Sequence, residues 1–475
     1  LYFEELTIER ILDIYDKENP MGIITSVGGQ IPNNLSMPLS DSGAKILGTS
    51  AQDVDLAEDR SKFSALLDQL EIHQPSWSKL QSIDDSKRFA TKIGYPVLVR
   101  PSYVLSGSAM RVAYNEASLE NFLNLAAKVS RDHPVVISKF ITGAKEVEVD
   151  GVSDGQTVFI GAIMEHVENA GVHSGDATMT IPPQALKPEV QKDIEAATIK
   201  IVKALKIHGP YNIQYLVKDD VVNVIECNLR ASRSMPFVSK TRGVNMIELA
   251  TLAMIGKKID DVKLSPMKTA PHVGVKVPQF SFMRLSGADP VLGVEMLSTG
   301  EVACLGESFS DAFSKALQSA EFTIPPRGGS VLISVGGDEE RKSRVVPIAK
   351  VFQDMGFKIY ATSNTAKVLN NNDITTVVLH KVKDPDVTPN ILDYLQERKI
   401  DLVINVPMAK RRSNMSDILT DGYIIRRQAV EFNVPVITNL QLAQALADVM
   451  KQANHNGNSI RSLNEYMDEL PWKKW

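Results

Sequence analysis

The chain has 475 residues, 43% of them hydrophobic and 23% charged, with a formal net charge of −5. That length suggests about three domains, and the mildly acidic balance leaves no electrostatic footprint for nucleic acid or an anionic membrane surface. Two cysteines, Cys227 and Cys304, provide neither a disulfide framework nor metal-thiolate spacing, and no apolar run reaches the roughly 18 residues of a membrane span.

In chain order, the sequence starts at Leu1 without Met and enters a helix pattern at once through Ile8, Ile11, Leu12 and Tyr15. It therefore reads as a fragment of a longer chain whose upstream sequence is absent. After a helix over 8–18 come strands at 22–27 and 45–48, with Gly28-Gly29 between them, as in part of a parallel α/β layer. Residues 53–70 read as one helix with Phe63, Leu66, Leu67 and Leu70 on one stripe. The pattern then becomes α+β, with strands at 96–100, 135–141, 146–152 and 157–165 and helices at 116–130 and 189–206.

The segments Tyr211–Val217 and Val224–Asn228, joined by the polar turn Lys218-Asp219-Asp220, read as a β-hairpin. A helix around 246–255 follows. Ile324-Pro325-Pro326-Arg327-Gly328-Gly329 reads as an interdomain linker. From Ser330 the grammar is βαβ, with strands at 331–335, 358–361, 376–379, 402–406 and 434–438 and helices at 344–355 and 389–398. Thr388 and Pro389 suit the N-cap and first turn of the latter helix. The tail from Asn454 is polar, and there is neither a solenoid-period repeat nor a low-complexity tract.

The chemistry concentrates in Ile225-Glu226-Cys227-Asn228-Leu229-Arg230-Ala231-Ser232-Arg233. Side chains two apart on a strand share a face, so Glu226 and Asn228 present hard oxygens side by side, and Gln214 on the facing strand adds a third. Mg²⁺ takes such oxygens together with substrate phosphates. Arg230 and Arg233 follow, with planar forks suited to phosphate or carboxylate. Cys227 alternates with Glu226 and Asn228 and is expected to be a buried thiol.

Three further segments qualify as site material. A small-residue loop, 101–109, follows Arg100 and can bring backbone N–H groups to a phosphate. Lys139, Ile141 and Glu146 suit an adenine slot with a carboxylate for ribose hydroxyls. The run Glu165-His166-Val167-Glu168-Asn169-Ala170-Gly171-Val172-His173-Ser174-Gly175-Asp176 is expected to be a polar loop at a strand end, and its His spacing matches no common structural zinc pattern.

Taken in this order, these segments resemble the large chain of carbamoyl phosphate synthetase, specifically its C-terminal half. The likeness also includes Gly28-Gly29-Gln30-x-Pro32, Ala57-Glu58-Asp59-Arg60, Pro236-Phe237-Val238-Ser239-Lys240 and Ser298-Thr299-Gly300-Glu301-Val302, and extends over residues 1–450. Cys227 and Leu229 within the Glu-x-Asn-x-Arg motif resemble the eukaryotic branch. The resemblance implies a mixed α/β and α+β chain in four parts. These are a partial pre-ATP-grasp layer over 1–52, an ATP-grasp domain over 53–326, a doubly wound methylglyoxal-synthase-like regulatory domain over 327–453 and a polar tail over 454–475.

What the resemblance implies for activity is ATP-dependent phosphorylation of carbamate to carbamoyl phosphate, for pyrimidine or arginine synthesis. It implies ATP contacts at Arg60, Arg100, Lys139, Ile141, Glu146, Gly171, Val172, His173 and Ser174. Lys139 stands where the bacterial pattern has a His. Gln214, Glu226 and Asn228 correspond to ligands of Mg²⁺ or Mn²⁺, two ions in all, with K⁺ as a further candidate, and Arg230 and Arg233 to residues handling the acceptor anion. Thr362, Thr365, Lys381 and Asn405 match an effector phosphate site in the regulatory domain, although Pro407 replaces a phosphate-binding Thr and a charged insertion occupies 336–342. Implied partners are an N-terminal synthetase half, a glutaminase and a nucleotide effector. The expected compartment is cytoplasmic, with mitochondria as the alternative.

Two other readings stand beside this one. A biotin carboxylase-like ligase would share the ATP-grasp features, but the C-terminal βαβ region argues against it. A nucleotide-binding regulatory module without turnover would use residues 330–450 alone.

Overall fold

The computed structural model describes all residues except 81, 102–109, 130–134, 260–269, 381–387, 409–419, 453–459 and 472–475. The small-residue loop after Arg100, Lys381 and much of the polar tail lie outside the described residues. The chain divides into two compact units: Leu1–Gly171, Met179–Gly274 and Arg461–Trp475 form the first, and Val172–Thr178 with Val275–Ile460 the second. Among the described residues no helix is long and apolar enough to cross a membrane.

In the first unit, Ile23–Ile24 pairs in parallel with Ile46–Leu47. A four-stranded antiparallel sheet orders Trp77–Leu80, Val135–Lys139, Val97–Pro101 and Arg111–Ala113, with helices Ile83–Ile93 and Glu116–Val129 packed on it. Its core includes Val97, Val99, Leu119 and Ile137. A larger antiparallel sheet orders Val221–Asn228, His208–Lys218, Lys145–Asp154, Val158–Asn169 and Met179–Ile181. One core joins Val147, Val149, Tyr211, Ile213, Tyr215 and Cys227 to Phe63 and Leu67 of helix Arg60–Gln69 and to Ile194 and Ile201 of helix Pro188–Ala204. Each buried aliphatic side chain there contributes about 1.5–3 kcal/mol. A second core joins Ala162 and Met164 to helices Met235–Arg242 and Met246–Met254.

The second unit contains a wholly parallel sheet. Its order is Val377–Val378, Lys358–Ala361, Ser330–Val335, Leu402–Val406, Val436–Ile437. In chain order this is 3-2-1-4-5, a doubly wound arrangement whose switch point lies between Ser330–Val335 and Leu402–Val406. Leu332, Tyr360, Leu379, Leu395 and Ile425 pack in one of its cores.

Several expected elements differ. The helix over 53–70 is two helices, Ala51–Glu58 and Arg60–Gln69, because Asp59 is extended (φ −74°, ψ 109°) and its carboxylate accepts from Ser61 N and Lys62 N. An Asp cap competes well with continued helix. The helix expected over 344–355 forms as Val346–Asp354, and a separate short helix, Glu339–Ser343, capped by Asp338, precedes it, so the charged insertion is partly helical. Thr388-Pro389 does not start the next helix; Asn390 does, accepting from Leu392 N. The strand Val158–Asn169 extends through Glu165, His166 and Glu168, which are therefore strand residues rather than loop residues. In contrast, the strand at Lys139 ends before Ile141.

Candidate functional site

The hairpin forms as expected. Asp219 and Asp220 both take left-handed φ values, 50° and 64°, the backbone a two-residue primed turn requires. The register sets Gln214 opposite Glu226, Ile213 opposite Cys227 and Asn212 opposite Asn228. Cys227 is only 3% exposed and belongs to the core, so the polar residues flanking it face the other way. On the neighbouring strand Glu148 pairs with Gln214 and Asp150 with Asn212. One sheet face therefore carries six oxygen-bearing side chains: Glu148, Asp150, Asn212, Gln214, Glu226 and Asn228.

These groups are joined by hydrogen bonds. Asn228 Nδ2 donates to Glu226 Oε1 at 3.2 Å, and Arg230 Nη2 donates to Asn228 Oδ1 at 3.2 Å. Arg230 Nε donates to Gln30 Oε1 at 3.2 Å, and Gln30 Nε2 donates to Glu58 Oε2 at 2.8 Å. Gln214 Nε2 donates to Glu148 Oε1 at 3.3 Å, and His166 Nε2 lies 3.4 Å from the same oxygen. Arg60, at the start of its helix, donates through Nη1 to Ile225 O at 2.6 Å and through Nη2 to Glu226 Oε2.

The electrostatics are strongly perturbed, as at many functional sites. Enclosure pushes the Glu226 carboxyl up, but the charges of Arg60 and Arg100 and the hydrogen bonds from Arg60 and Asn228 outweigh it and hold the group at about 2. Burial and the nearby Arg60 lower Arg100 to about 9, and its Nε has no hydrogen-bond partner among the described residues. Burial raises Glu146 to about 7, with Glu148 and Glu226 adding to the rise. Burial also raises Asp150, to about 6, with help from Glu148. Two acids pushed up beside one pushed down is the pattern expected where charge is concentrated and water is limited.

Gln214, Glu226, Asn228, Arg60 and Arg230 thus gather into one connected cluster, with Arg100 and Glu146 within its electrostatic range. Lys139 Nζ donates to Gly94 O at 2.9 Å and Tyr95 O at 3.1 Å. Ile141 is half-buried beyond its strand, and Arg233 is exposed. Gly171 has φ +112°, and a Cβ there would lie 3.3 Å from Phe140 Cζ. Val172, His173 and Ser174 belong to the second unit, where His173 N donates to Gly293 O at 2.7 Å and His173 Nδ1 accepts from Gly175 N. Glu148, Asp150 and Asn212 were not singled out from sequence. The alternation of Glu146, Glu148 and Asp150 with Val147 and Val149 along one strand was the signal for the two acids.

At the switch point of the second unit, Thr362 Oγ1 donates to Ser334 Oγ and Thr365 Oγ1, each at 3.3 Å, and Thr365 Oγ1 accepts from Val335 N. Asn405 Oδ1 accepts from Arg426 Nη1 at 2.7 Å. Arg426 also grips Asp289 through Nε and Nη2, both at 2.7 Å. Neither Arg426 nor Asp289 was picked out from sequence, since 137 residues separate them.

The oxygen set also suits a divalent cation. One carboxylate and two amide oxygens are hard ligands, too few for a complete cage and suited to a metal shared with phosphates. Among the described residues no cluster of three or more His, Cys, Asp or Glu forms a metal site.

Three family models match in sequence. Residues 1–56 match the carbamoyl phosphate synthase preATP-grasp domain, 59–262 the ATP binding domain of the carbamoyl-phosphate synthase L chain, and 344–438 the MGS-like domain. The chain belongs to the carbamoyl phosphate synthase family. Two curated relatives in that family are eukaryotic. The multifunctional protein URA2 of Saccharomyces cerevisiae is 48% identical over 95% of this chain and 20% of its own length. The mitochondrial carbamoyl-phosphate synthase [ammonia] of Aquarana catesbeiana is 49% identical over 95% of this chain and 30% of its own length. The chain thus spans less than a third of the length of these relatives.

Among solved structures, biotin carboxylase from Campylobacter jejuni matches with a TM-score of 0.55 at 18% identity, covering 67% of this chain and 80% of that one. The biotin carboxylase domain of Hydrogenobacter thermophilus 2-oxoglutarate carboxylase gives 0.55 at 16%, with the same coverage. At such identities the likeness concerns the fold alone, a shared mixed α/β architecture.

Proposed function

We propose that the chain is the carbamate-phosphorylating part of a carbamoyl phosphate synthetase. The observation that carries this reading is the continuous line from Gln214, Glu226 and Asn228 to Arg230, which sets hard oxygen ligands directly against an anion-binding guanidinium. A carbamate oxygen attacks the γ-phosphorus of ATP, the bond from that phosphorus to the bridging oxygen breaks, and ADP leaves with the electron pair. Gln214, Glu226 and Asn228 would hold Mg²⁺ or Mn²⁺, which neutralises phosphate charge when bound; K⁺ remains a further candidate. Arg230 and Arg233 align the carbamate. Arg60, Arg100, Lys139, Ile141, Glu146, Gly171, Val172, His173 and Ser174 are assigned to ATP. Catalysis in this reading is mainly positioning and charge stabilisation.

The proposed domain limits are 1–52, 53–326, 327–453 and 454–475. In the third of these, Thr362, Thr365, Lys381 and Asn405 are assigned to a nucleotide effector, supported by the position of Thr362, Thr365 and Asn405 at the carboxyl ends of the two strands that flank Ser330–Val335 in the parallel sheet. The product serves pyrimidine or arginine synthesis, in the cytoplasm or in mitochondria. An N-terminal synthetase half and a glutaminase are the proposed partners, supported by the larger size of the relatives. The test is ADP release that requires both ATP and carbamate, together with ATP formation from ADP and carbamoyl phosphate. ADP release indifferent to carbamate and absence of the reverse reaction would remove the reading.

A further inference from the structure

Asp150 lies on strand Lys145–Asp154 and is completely buried. Among the described residues no Lys or Arg forms an ion pair with it. Its charge is instead met by three donors: Asn212 Nδ2 at 2.8 Å on Oδ1, and Ser232 Oγ at 2.8 Å and Ser234 Oγ at 2.7 Å on Oδ2. Burying a carboxylate is costly unless it is fully hydrogen-bonded. A buried charge that draws three side chains from two separate segments also fixes those segments sharply, because hydrogen bonds to a charged acceptor are roughly twice as strong as neutral ones.

Both segments matter. Ser232 stands between Arg230 and Arg233, and its Oγ accepts from Met235 N at 3.1 Å, at the start of helix Met235–Arg242. Asn212 Oδ1 accepts from Asn228 Nδ2 at 3.4 Å. One carboxylate thus ties the arginine loop to the face that carries Asn228, although it reaches neither arginine itself.

We propose that Asp150 is a positioning residue for the acceptor anion, acting through Ser232 and Ser234 to hold the 230–234 loop in register with the hairpin. The inference rests on the carbamate-phosphorylating reading and adds a residue to it. Asp150→Asn keeps the size but loses the charge and one strong acceptor. Its effect should fall on the anion more than on the nucleotide, because the loop it holds carries the anion-binding arginines.

The experiment uses the full chain and the reverse reaction, in which an ADP β-phosphate oxygen attacks the phosphorus of carbamoyl phosphate and carbamate leaves. For Asp150→Asn the expected result is a carbamoyl phosphate KM raised about 10- to 100-fold, the range for losing a supporting contact, with the ADP KM within about twofold of wild type. Ser232→Ala, which leaves the buried charge and two of its donors in place, should shift the same KM by a smaller factor. The double variant should resemble Asp150→Asn alone, because the two share one interaction. If Asp150→Asn does not fold, Ser232→Ala carries the test. An unchanged carbamoyl phosphate KM in the folded variants, or an equal rise in the ADP KM, overturns the proposal. A wild-type chain that forms no ATP overturns the functional reading instead, and the positioning role falls with it.

Discussion

Glu226→Gln probes the centre of the cluster. The exchange preserves shape and one oxygen but removes the charge that faces Arg60. The carboxyl is held at about 2 against an ordinary 4.5, a preference for the charged form of about 3 kcal/mol at neutral pH. The side chain is 28% exposed, so solvent screens part of that, and the expected stability loss is about 1–2 kcal/mol. For a depressed carboxylate this stability is present above pH 4.5 and disappears as pH falls toward 2, so variant and wild type should converge across that window. Activity should suffer far more: ADP release should drop by about 10³, since the one carboxylate among the three proposed ligands is gone. A coupled ADP assay and thermal unfolding on the same samples give both numbers. Adding Arg60→Met should restore part of the stability, because the guanidinium no longer faces an uncharged amide. Near-normal ADP release at ordinary Mg²⁺, or fully additive destabilisation in the double variant, would refute the reasoning.

Arg230→Met should lower phosphorylation by about 10²–10³ with ATP affinity little changed, and Arg233→Met, at an exposed position, by less; initial-rate kinetics with each substrate varied decide this, and an equal loss of ATP binding contradicts it. Glu146, raised to about 7, keeps its proton when the unfolded chain has already lost it, so it makes stability fall as pH rises from 4.5 to 7. Glu146→Gln should remove up to about 3 kcal/mol of that fall, read from denaturation midpoints across a pH series; a profile parallel to wild type would sink the idea. A fragment of residues 275–460 should unfold cooperatively, whereas one beginning at 330 lacks Asp289 and leaves Arg426 buried without it, a defect of about 3–5 kcal/mol; equal melting temperatures would dispose of this. A phosphorylated nucleotide that binds the longer fragment should stabilise it by about 2.7 kcal/mol at a hundredfold excess over Kd, and no shift with purine or pyrimidine nucleotides argues against the effector site.

The hairpin was legible because its information is local: alternation placed Cys227 in the core and Glu226 and Asn228 opposite it, and a short polar turn fixed the register. The strands of the doubly wound sheet were legible from a different pattern, short apolar runs alternating with helices, since a parallel sheet covered on both faces shows no period of two. Helix limits were harder to read, since at Asp59 and Asn390 one side-chain cap decided against a longer periodic pattern. Asp150 and Arg426 escaped notice for a different reason. The donors that hold Asp150 lie 62 to 84 residues away and the carboxylate that holds Arg426 lies 137 away, so the acidic alternation around Asp150 marked a polar strand face without showing what that face would hold.

The bond from Arg426 to Asn405 has a thermodynamic corollary. The guanidinium is already divided between an amide oxygen and the Asp289 carboxylate, so an anion arriving at Asn405 competes with a resident one. Its net affinity is what remains after that exchange. By reciprocity, anything that alters the hold of Asp289 on Arg426 must change anion affinity by the same factor that the anion changes that hold. A single shared guanidinium would therefore be enough to make the segment around Asp289 sensitive to an anion in the proposed effector site beside Asn405, without any movement of the strands themselves.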